Sequence, residues 1–209
     1  VIGCLGLVEE AIDDGEETDA FLTMATEELQ RTARIVNRLR DLGRPVDAEM
    51  AREPADLNEI VERTLAVSQK ELQNHGIVTE TALSNTLPKP PVIADRIGQV
   101  ILNLILNAKD AMAEGGRLSV RTYYDEAAEE ACIEIADEGS GMPPEVMDRL
   151  FNPFFSTKQE GMGLGLFVSH HIVEEHQGCI EVESEVDQGT TFTVRFPVES
   201  EKSEETLSS

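Results

Sequence analysis

The run Ile97-Gly-Gln-Val100-Ile-Leu-Asn103-Leu-Ile-Leu-Asn107-Ala-Lys-Asp110 leads through a glycine turn into two alternating stretches, 117–124 and 131–137, and the second ends in Asp137-Glu-Gly139-Ser-Gly141. These residues decide the fold. The first run predicts a helix over 95–113, apolar nearly all round, while period-two alternation on either side of a polar turn predicts a β-hairpin. A buried helix feeding a hairpin belongs to an α+β protein, because consecutive strands joined by a short turn must run antiparallel.

The same logic extends outward. Upstream, the spacing predicts a helix over 56–75, an extended segment at 77–83 and a turn at Pro88 to Pro91. Downstream it predicts a short helix at 143–150, a glycine-rich loop, a helix at 163–176, and strands at 179–185 and 190–197. Helices interleaved with hairpin-connected strands indicate an α/β sandwich with a mixed, largely antiparallel sheet. A doubly wound parallel sheet is not expected.

Residues 4–13 and 19–42 read as a helical hairpin, broken at Asp14-Gly15-Glu16 and stopped at Gly43-Arg44-Pro45. Leu29, Ile35, Val36, Leu39 and Leu42 fall on one face, and Glu27, Glu28, Arg31, Arg34 and Arg38 on the other. So thin a hairpin cannot bury its stripe alone. A dimeric four-helix bundle is the economical solution, with packing on the rest of the same chain as the alternative. The expected organisation is therefore a hairpin at 1–46, a linker at 47–53, a mixed domain at 54–198, and a polar, disordered tail at 199–209.

A formal charge of −24 argues against sequence-independent binding to nucleic acid or an anionic bilayer, both of which require clustered Lys and Arg. Any bound anion must instead be held by backbone N–H groups, helix N-termini, a few cations and a metal. Cys4, Cys132 and Cys179 are scattered among apolar residues without a paired spacing or a nearby histidine, and are expected to be buried thiols in a reducing compartment. No apolar run is long enough to span a bilayer, and the chain begins at Val1, so it reads as a cytoplasmic fragment.

Three islands carry chemistry. Asn103, Asn107 and Asp110 lie at i, i+4 and i+7, on one stripe of an otherwise greasy helix. A buried amide left unpaired costs about 1–3 kcal/mol, so the stripe either caps neighbouring loops or lines a ligand site, where an Asn oxygen suits Mg²⁺. Asp137 closes a strand before Gly139 and Gly141, a loop that lets backbone approach a flat or charged ligand, or simply a turn. Gly161-Met-Gly163-Leu-Gly165-Leu166 opens a helix, which places free N–H groups where a phosphate can sit, though the Gly-Lys-Ser/Thr ending of a Walker A loop is absent. Between the glycine loops, Phe151-Asn-Pro-Phe154-Phe155-Ser-Thr-Lys158 reads as a hinged lid with aromatic anchors and one cation.

In order and spacing these motifs resemble the catalytic domain of two-component sensor histidine kinases, over roughly residues 54–198. Asn103 to Asp110 fall on the N box, Asp137 to Gly141 on the G1 box, Phe151 to Lys158 on the F box and Gly161 to Gly165 on the G2 box. Gly189-Thr190-Thr191-Phe192 looks like the closing strand motif.

The resemblance implies a Bergerat-type ATP fold of the GHKL group. By that analogy Asp137 accepts from the adenine amino group with Thr190 assisting, and Gly139 and Gly141 shape the adenine loop. Asn107 ligates Mg²⁺ with Asn103 beside it, and Asp110 supports the metal's water shell. Gly161, Gly163, Gly165 and Leu166 surround the phosphates, and Lys158 reaches the γ-phosphate. ATP and Mg²⁺ are then the cofactors, Asn107 and Lys158 the catalytic residues. A homodimer through the hairpin and a response-regulator receiver domain are the expected partners.

The hairpin resembles the phosphotransfer domain of the same kinases, but no His-Glu-x-x-Asn-Pro occurs in the chain. His75, His170, His171 and His176 read as surface or packing residues, with His176 placed to meet its helix dipole. The chain is accordingly expected to bind Mg-ATP without phosphorylating itself. The rival readings are a nucleotide-driven ATPase clamp and a non-catalytic adaptor with a degenerate pocket. An anti-sigma-type serine kinase fits less well, because the hairpin precedes the ATP domain.

Overall fold

The structure, a computed structural model, describes residues 52–158 and 162–198. By internal contacts the chain divides into two compact units, Val1–Asp47 and Ala48–Ser209, and every described residue belongs to the second. The predicted helical hairpin, most of the linker, Cys4, Gly161 and the tail from Glu199 lie outside the described residues.

Strand β1 (Glu53–Pro54) precedes helix α1 (Leu57–Asn74). Asp56 caps that helix, its Oδ1 accepting from the N–H groups of Asn58 at 3.0 Å and Glu59 at 3.3 Å. Gly76, at φ +69°, turns the chain out of it into β2 (Ile77–Ala82). After β3 (Pro91–Val92) comes α2 (Ala94–Ala111), whose Ile97, Val100, Ile101, Leu104, Ile105 and Ala108 are buried. The hairpin is β4 (Gly116–Asp125) with β5 (Glu130–Asp137). The final elements are the one-turn α3 (Pro144–Met147), α4 (Gly165–Glu175), β6 (Cys179–Glu185) and β7 (Gly189–Pro197).

The five long strands form one sheet in the order β2-β4-β5-β7-β6. Every neighbouring pair is antiparallel except β2 with β4, which are parallel because α2 crosses over between them. The expected mixed, largely antiparallel sheet is thus present. A two-residue ladder, Glu53 with Val92 and Pro54 with Pro91, escaped prediction because its prolines read as turn.

One face of the sheet carries the core. Leu118 and Val120, Ala131, Ile133 and Ile135, and Phe192, Val194 and Phe196 are all buried there beneath the helices. On the opposite face ionic pairs replace helices: Arg121 with Glu134 at 2.5 Å, and Arg195 with Glu181 at 2.8 Å and Asp125 at 3.2 Å. Among the described residues this is a two-layer sandwich with one open side.

Two expectations need correction. The helix predicted at 143–150 is only a single turn: Pro143 and Pro144 open it, and turns replace it from Asp148. Cys179 is exposed rather than buried, since it opens β6, an edge strand with a neighbour on one side only. Cys132 is buried as expected, although it lies on the ionic face, with its Sγ 3.7 Å from Arg195 Nη1. Among the described residues no helix is long and apolar enough to cross a membrane.

Candidate nucleotide site

The site lies at one end of the sheet, where the glycine loops meet the C-terminal half of α2. Asp137, the last residue of β5, is 7 % exposed. Its Oδ1 accepts from the Gly139 N–H at 2.9 Å. Burial pushes this carboxyl above its ordinary range, and the backbone N–H groups of Gly139 and Thr190 counteract that only in part. No cation offsets the charge among the groups that act on it. A buried carboxylate held by backbone N–H groups alone keeps lone pairs free for a donor that the described residues do not supply.

The loop after Asp137 is wedged between α2 and β6. A Cβ on Gly139 would lie 2.7 Å from the Ala111 carbonyl, and one on Gly141, at φ +61°, would lie 1.9 Å from the Glu185 carbonyl. Two hydrogen bonds pin the loop: Ser140 N to the Ala111 carbonyl at 3.1 Å, and Asp187 N to the Ser140 carbonyl at 2.8 Å. No side chain fits at either glycine, so the glycines bring the strand end and the helix end into contact.

Thr190, on β7, is the register partner of Asp137 and is 5 % exposed. Directly opposed residues of an antiparallel pair point to the same face, so Thr190 stands beside the Asp137 carboxylate. Next in the same row is Ser184 of β6, paired with Thr190. Ser184 was not singled out from sequence. Only the register of a strand pair, not any local motif, marks it.

The polar stripe of α2 divides its work. Asn103 Nδ2 donates to Ser169 Oγ of α4 at 2.8 Å, and Asn103 Oδ1 would lie 2.7 Å from a Cβ on Gly165. Asn103 therefore binds α2 to the first turns of α4. Asn107 has no such partner. Among the described residues its Nδ2 is the one buried side-chain polar atom left without a hydrogen bond. An orphaned donor of this kind calls for an oxygen-rich ligand, and the amide's own oxygen is a hard donor of the type Mg²⁺ takes, so these residues fit a metal-phosphate group.

Asp110 is exposed and ion-paired, its Oδ2 2.6 Å from Lys158 Nζ and its Oδ1 3.5 Å from Lys109 Nζ. Lys109 in turn reaches Glu71 of α1 at 2.6 Å. Lys158, expected to reach the γ-phosphate, is thus tethered to the polar stripe of α2.

The lid is seated by backbone more than by aromatic anchors. Phe154 N donates to the Gly163 carbonyl at 3.0 Å, and a Cβ on Gly163, at φ +63°, would collide with the Phe155 carbonyl at 2.2 Å. Phe151 rests 4.7 Å from the His170 ring, and Arg149 lies 4.4 Å over Phe155. Phe154 anchors nothing: it is 72 % exposed and held at φ +64°. Helix α4 begins at Gly165, after Leu164, with no side-chain cap, so the first-turn N–H groups of Gly165 and Leu166 keep the character of an anion site.

His176 corrects a further expectation. It caps α4 but is 3 % exposed, with Nδ1 2.7 Å from the Ile172 carbonyl and Nε2 accepting from Ile93 N at 3.1 Å. That pairing requires the neutral ring protonated on Nδ1. Desolvation lowers its pKa, so it does not act as a charge against the helix dipole.

Comparison with known proteins agrees with this geometry. Residues 93–200 match the family described as histidine kinase-, DNA gyrase B-, and HSP90-like ATPase. The sensor histidine kinase ZraS of Escherichia coli (strain K12) is 35% identical over 184 residues, which is 88% of this chain and 39% of that protein. The chain thus spans about two fifths of that relative. The solved mycobacterial sensor histidine kinase MprB is 28% identical with a TM-score of 0.62, covering 70% of this chain and 97% of that one. The histidine kinase ThkA, solved in complex with the response regulator protein TrrA, shares the fold at a TM-score of 0.75 and 24% identity, over 96% of this chain and 57% of that one. This chain belongs to the histidine kinase-, DNA gyrase B-, and HSP90-like ATPase family, with a catalytic domain of the sensor histidine kinase kind.

Proposed function

We propose that residues 54–198 bind Mg-ATP for a two-component histidine kinase that passes the γ-phosphoryl group to a histidine and then to a response regulator. The observation that carries the reading is the Asp137 carboxylate, buried without a cation and held by two backbone N–H groups. An exocyclic amine such as that of adenine fits the acceptor it leaves open. Asn107, with its unpaired amide, is the Mg²⁺ and phosphate residue, and the α4 N-terminus with Gly161, Gly163, Gly165 and Leu166 receives the phosphates. Lys158 leaves Asp110 for the γ-phosphate, an exchange of one anionic partner for another. Asp110, once released, would be free to support the water shell of a bound Mg²⁺.

A bound Mg²⁺ would neutralise charge on the transferring group. The chain's own residues position it, which is most of what phosphoryl transfer asks of a protein. The attacking imidazole belongs to a phosphotransfer histidine, and none of the four in this chain sits in a His-Glu-x-x-Asn-Pro motif. The hairpin at 1–46 makes a homodimer, and the receiver domain of a response regulator is the downstream partner.

Calorimetric titration tests this. The 209-residue chain should bind Mg-ATP, Asp137→Asn should weaken binding by about a hundredfold, and labelled ATP should leave no acid-labile phosphoprotein. Unchanged affinity in Asp137→Asn would sink the adenine assignment.

A further inference from the structure

Ser184 sits at the junction of three elements of the site. Its Oγ lies 2.8 Å from Met142 N in the loop after β5, 2.9 Å from the Gly189 carbonyl at the start of β7, and 2.9 Å from Thr190 Oγ1. Proton counting decides the directions. A backbone N–H can only donate, a carbonyl can only accept, and a hydroxyl has one proton. Ser184 therefore gives its proton to Gly189 and receives one from Met142. The remaining contact closes only if the Thr190 hydroxyl donates to Ser184. All three bonds are then satisfied, as half-buried polar groups require.

Thr190 consequently has no proton left to offer. Thr190 stands in the row Asp137, Thr190, Ser184 across β5, β7 and β6, so its register partner on β5 is a carboxylate that, when ionised, can also only accept. We propose that Ser184 is a positioning residue that holds Thr190 as a hydrogen-bond acceptor, so that the base end of the site selects a 6-amino purine over a 6-oxo purine. This rests on the adenine reading of Asp137. A 6-oxo purine turns a carbonyl toward two acceptors, whereas a 6-amino purine turns a donor toward them. Without Ser184, the Thr190 hydroxyl can rotate and donate to that carbonyl.

The effect is a change in discrimination, separable from loss of structure. ATP and ITP, which differ at the purine 6-position, are titrated into the full chain with Mg²⁺. The wild type should prefer ATP by about tenfold or more, and Ser184→Ala should narrow the preference to about two- to threefold, chiefly by tighter ITP binding. Ser184→Thr, which keeps the hydroxyl, should restore the wild-type ratio. Thr190→Val removes an acceptor while leaving Ser184 its bonds to Met142 and Gly189, and should narrow the ratio as well. It carries the test if Ser184→Ala does not fold.

Equal weakening of ATP and ITP in Ser184→Ala would mean that Ser184 merely braces the loop, and would overturn the proposal while the adenine reading stands. So would an unchanged ratio in Thr190→Val. A wild type that binds neither nucleotide would overturn both.

Discussion

Asp137 shows at the scale of one residue how the site works against the fold that holds it. Burial raises its carboxyl pKa and the N–H groups of Gly139 and Thr190 only partly compensate, so the folded state holds the proton more tightly than the unfolded chain does. For a raised carboxyl pKa the favourable contribution is complete below the unfolded value and is lost as pH rises through the folded one. At neutral pH, then, ionised Asp137 lowers the stability of the nucleotide-free protein. Asp137→Asn removes that charge and should raise the melting temperature at pH near 7. The gain should shrink as pH falls through the carboxylate range, where the wild-type group is also neutral. Thermal melts across pH check this, and a pH-independent gain would mean that burial is not the cause. Asn107 tells a similar story without a charge, with a buried donor that nothing among the described residues satisfies. Both residues were legible in the sequence, because a polar group set in an apolar helix or at the end of a strand needs an explanation. Ser184 was not legible. Its partners come from three separate segments, and only the register of β6 on β7 brings them together.

Among the elements, α4 has the most demanding placement. Its first turn lies against Asn103 of α2, and its last residue hands over to His176, which accepts from Ile93 N just before α2 begins. Helix α4 is therefore joined to α2 at both of its own ends, to the middle of α2 at one and to its start at the other. Neutral His176 is the lower clasp. Because its pKa is lowered in the fold, its contribution is complete above the ordinary histidine pKa and is lost as pH falls through the folded value. His176→Gln should cost about 1–2 kcal/mol at neutral pH. It should also flatten the fall in stability between about pH 7 and about pH 5; a fall as steep as that of the wild type would assign it to other groups. The elements themselves followed from periodicity, since α1, α2, the hairpin and the last two strands begin and end within a few residues of expectation. Failures cluster where prolines govern. Pro143 and Pro144 open a helix that stops after one turn, and Pro54 and Pro91 hide a ladder. Tertiary pairing, which local pattern does not encode, decides the second case. The lid belongs with these, held by Gly163 against the Phe154–Phe155 backbone and by Lys158 on Asp110.

At the scale of the whole molecule, the excess of acidic groups bears on how an anionic nucleotide is held. A formal charge of −24 repels ATP at long range, so affinity has to come from contacts within the site, and moderate added salt, which screens the repulsion, should not weaken it. The contacts proposed above all come from residues of the unit Ala48–Ser209, whose described residues form a five-stranded sheet, three long helices and a buried aliphatic core. A unit with its own core folds independently. The apolar stripe of residues 19–42, by contrast, needs a partner surface, which a second copy supplies in the reading proposed above. The two jobs are therefore separable by cutting the chain between Asp47 and Ala48. A polypeptide of residues 48–209 should melt cooperatively and bind Mg-ATP within about twofold of the longer chain, since no site residue is removed. It should sediment as a monomer where the 209-residue chain sediments as a dimer. A dimeric 48–209 would move the self-association surface onto the ATP-binding unit, and a truncated chain that folds but binds no nucleotide would mean that the hairpin completes the site.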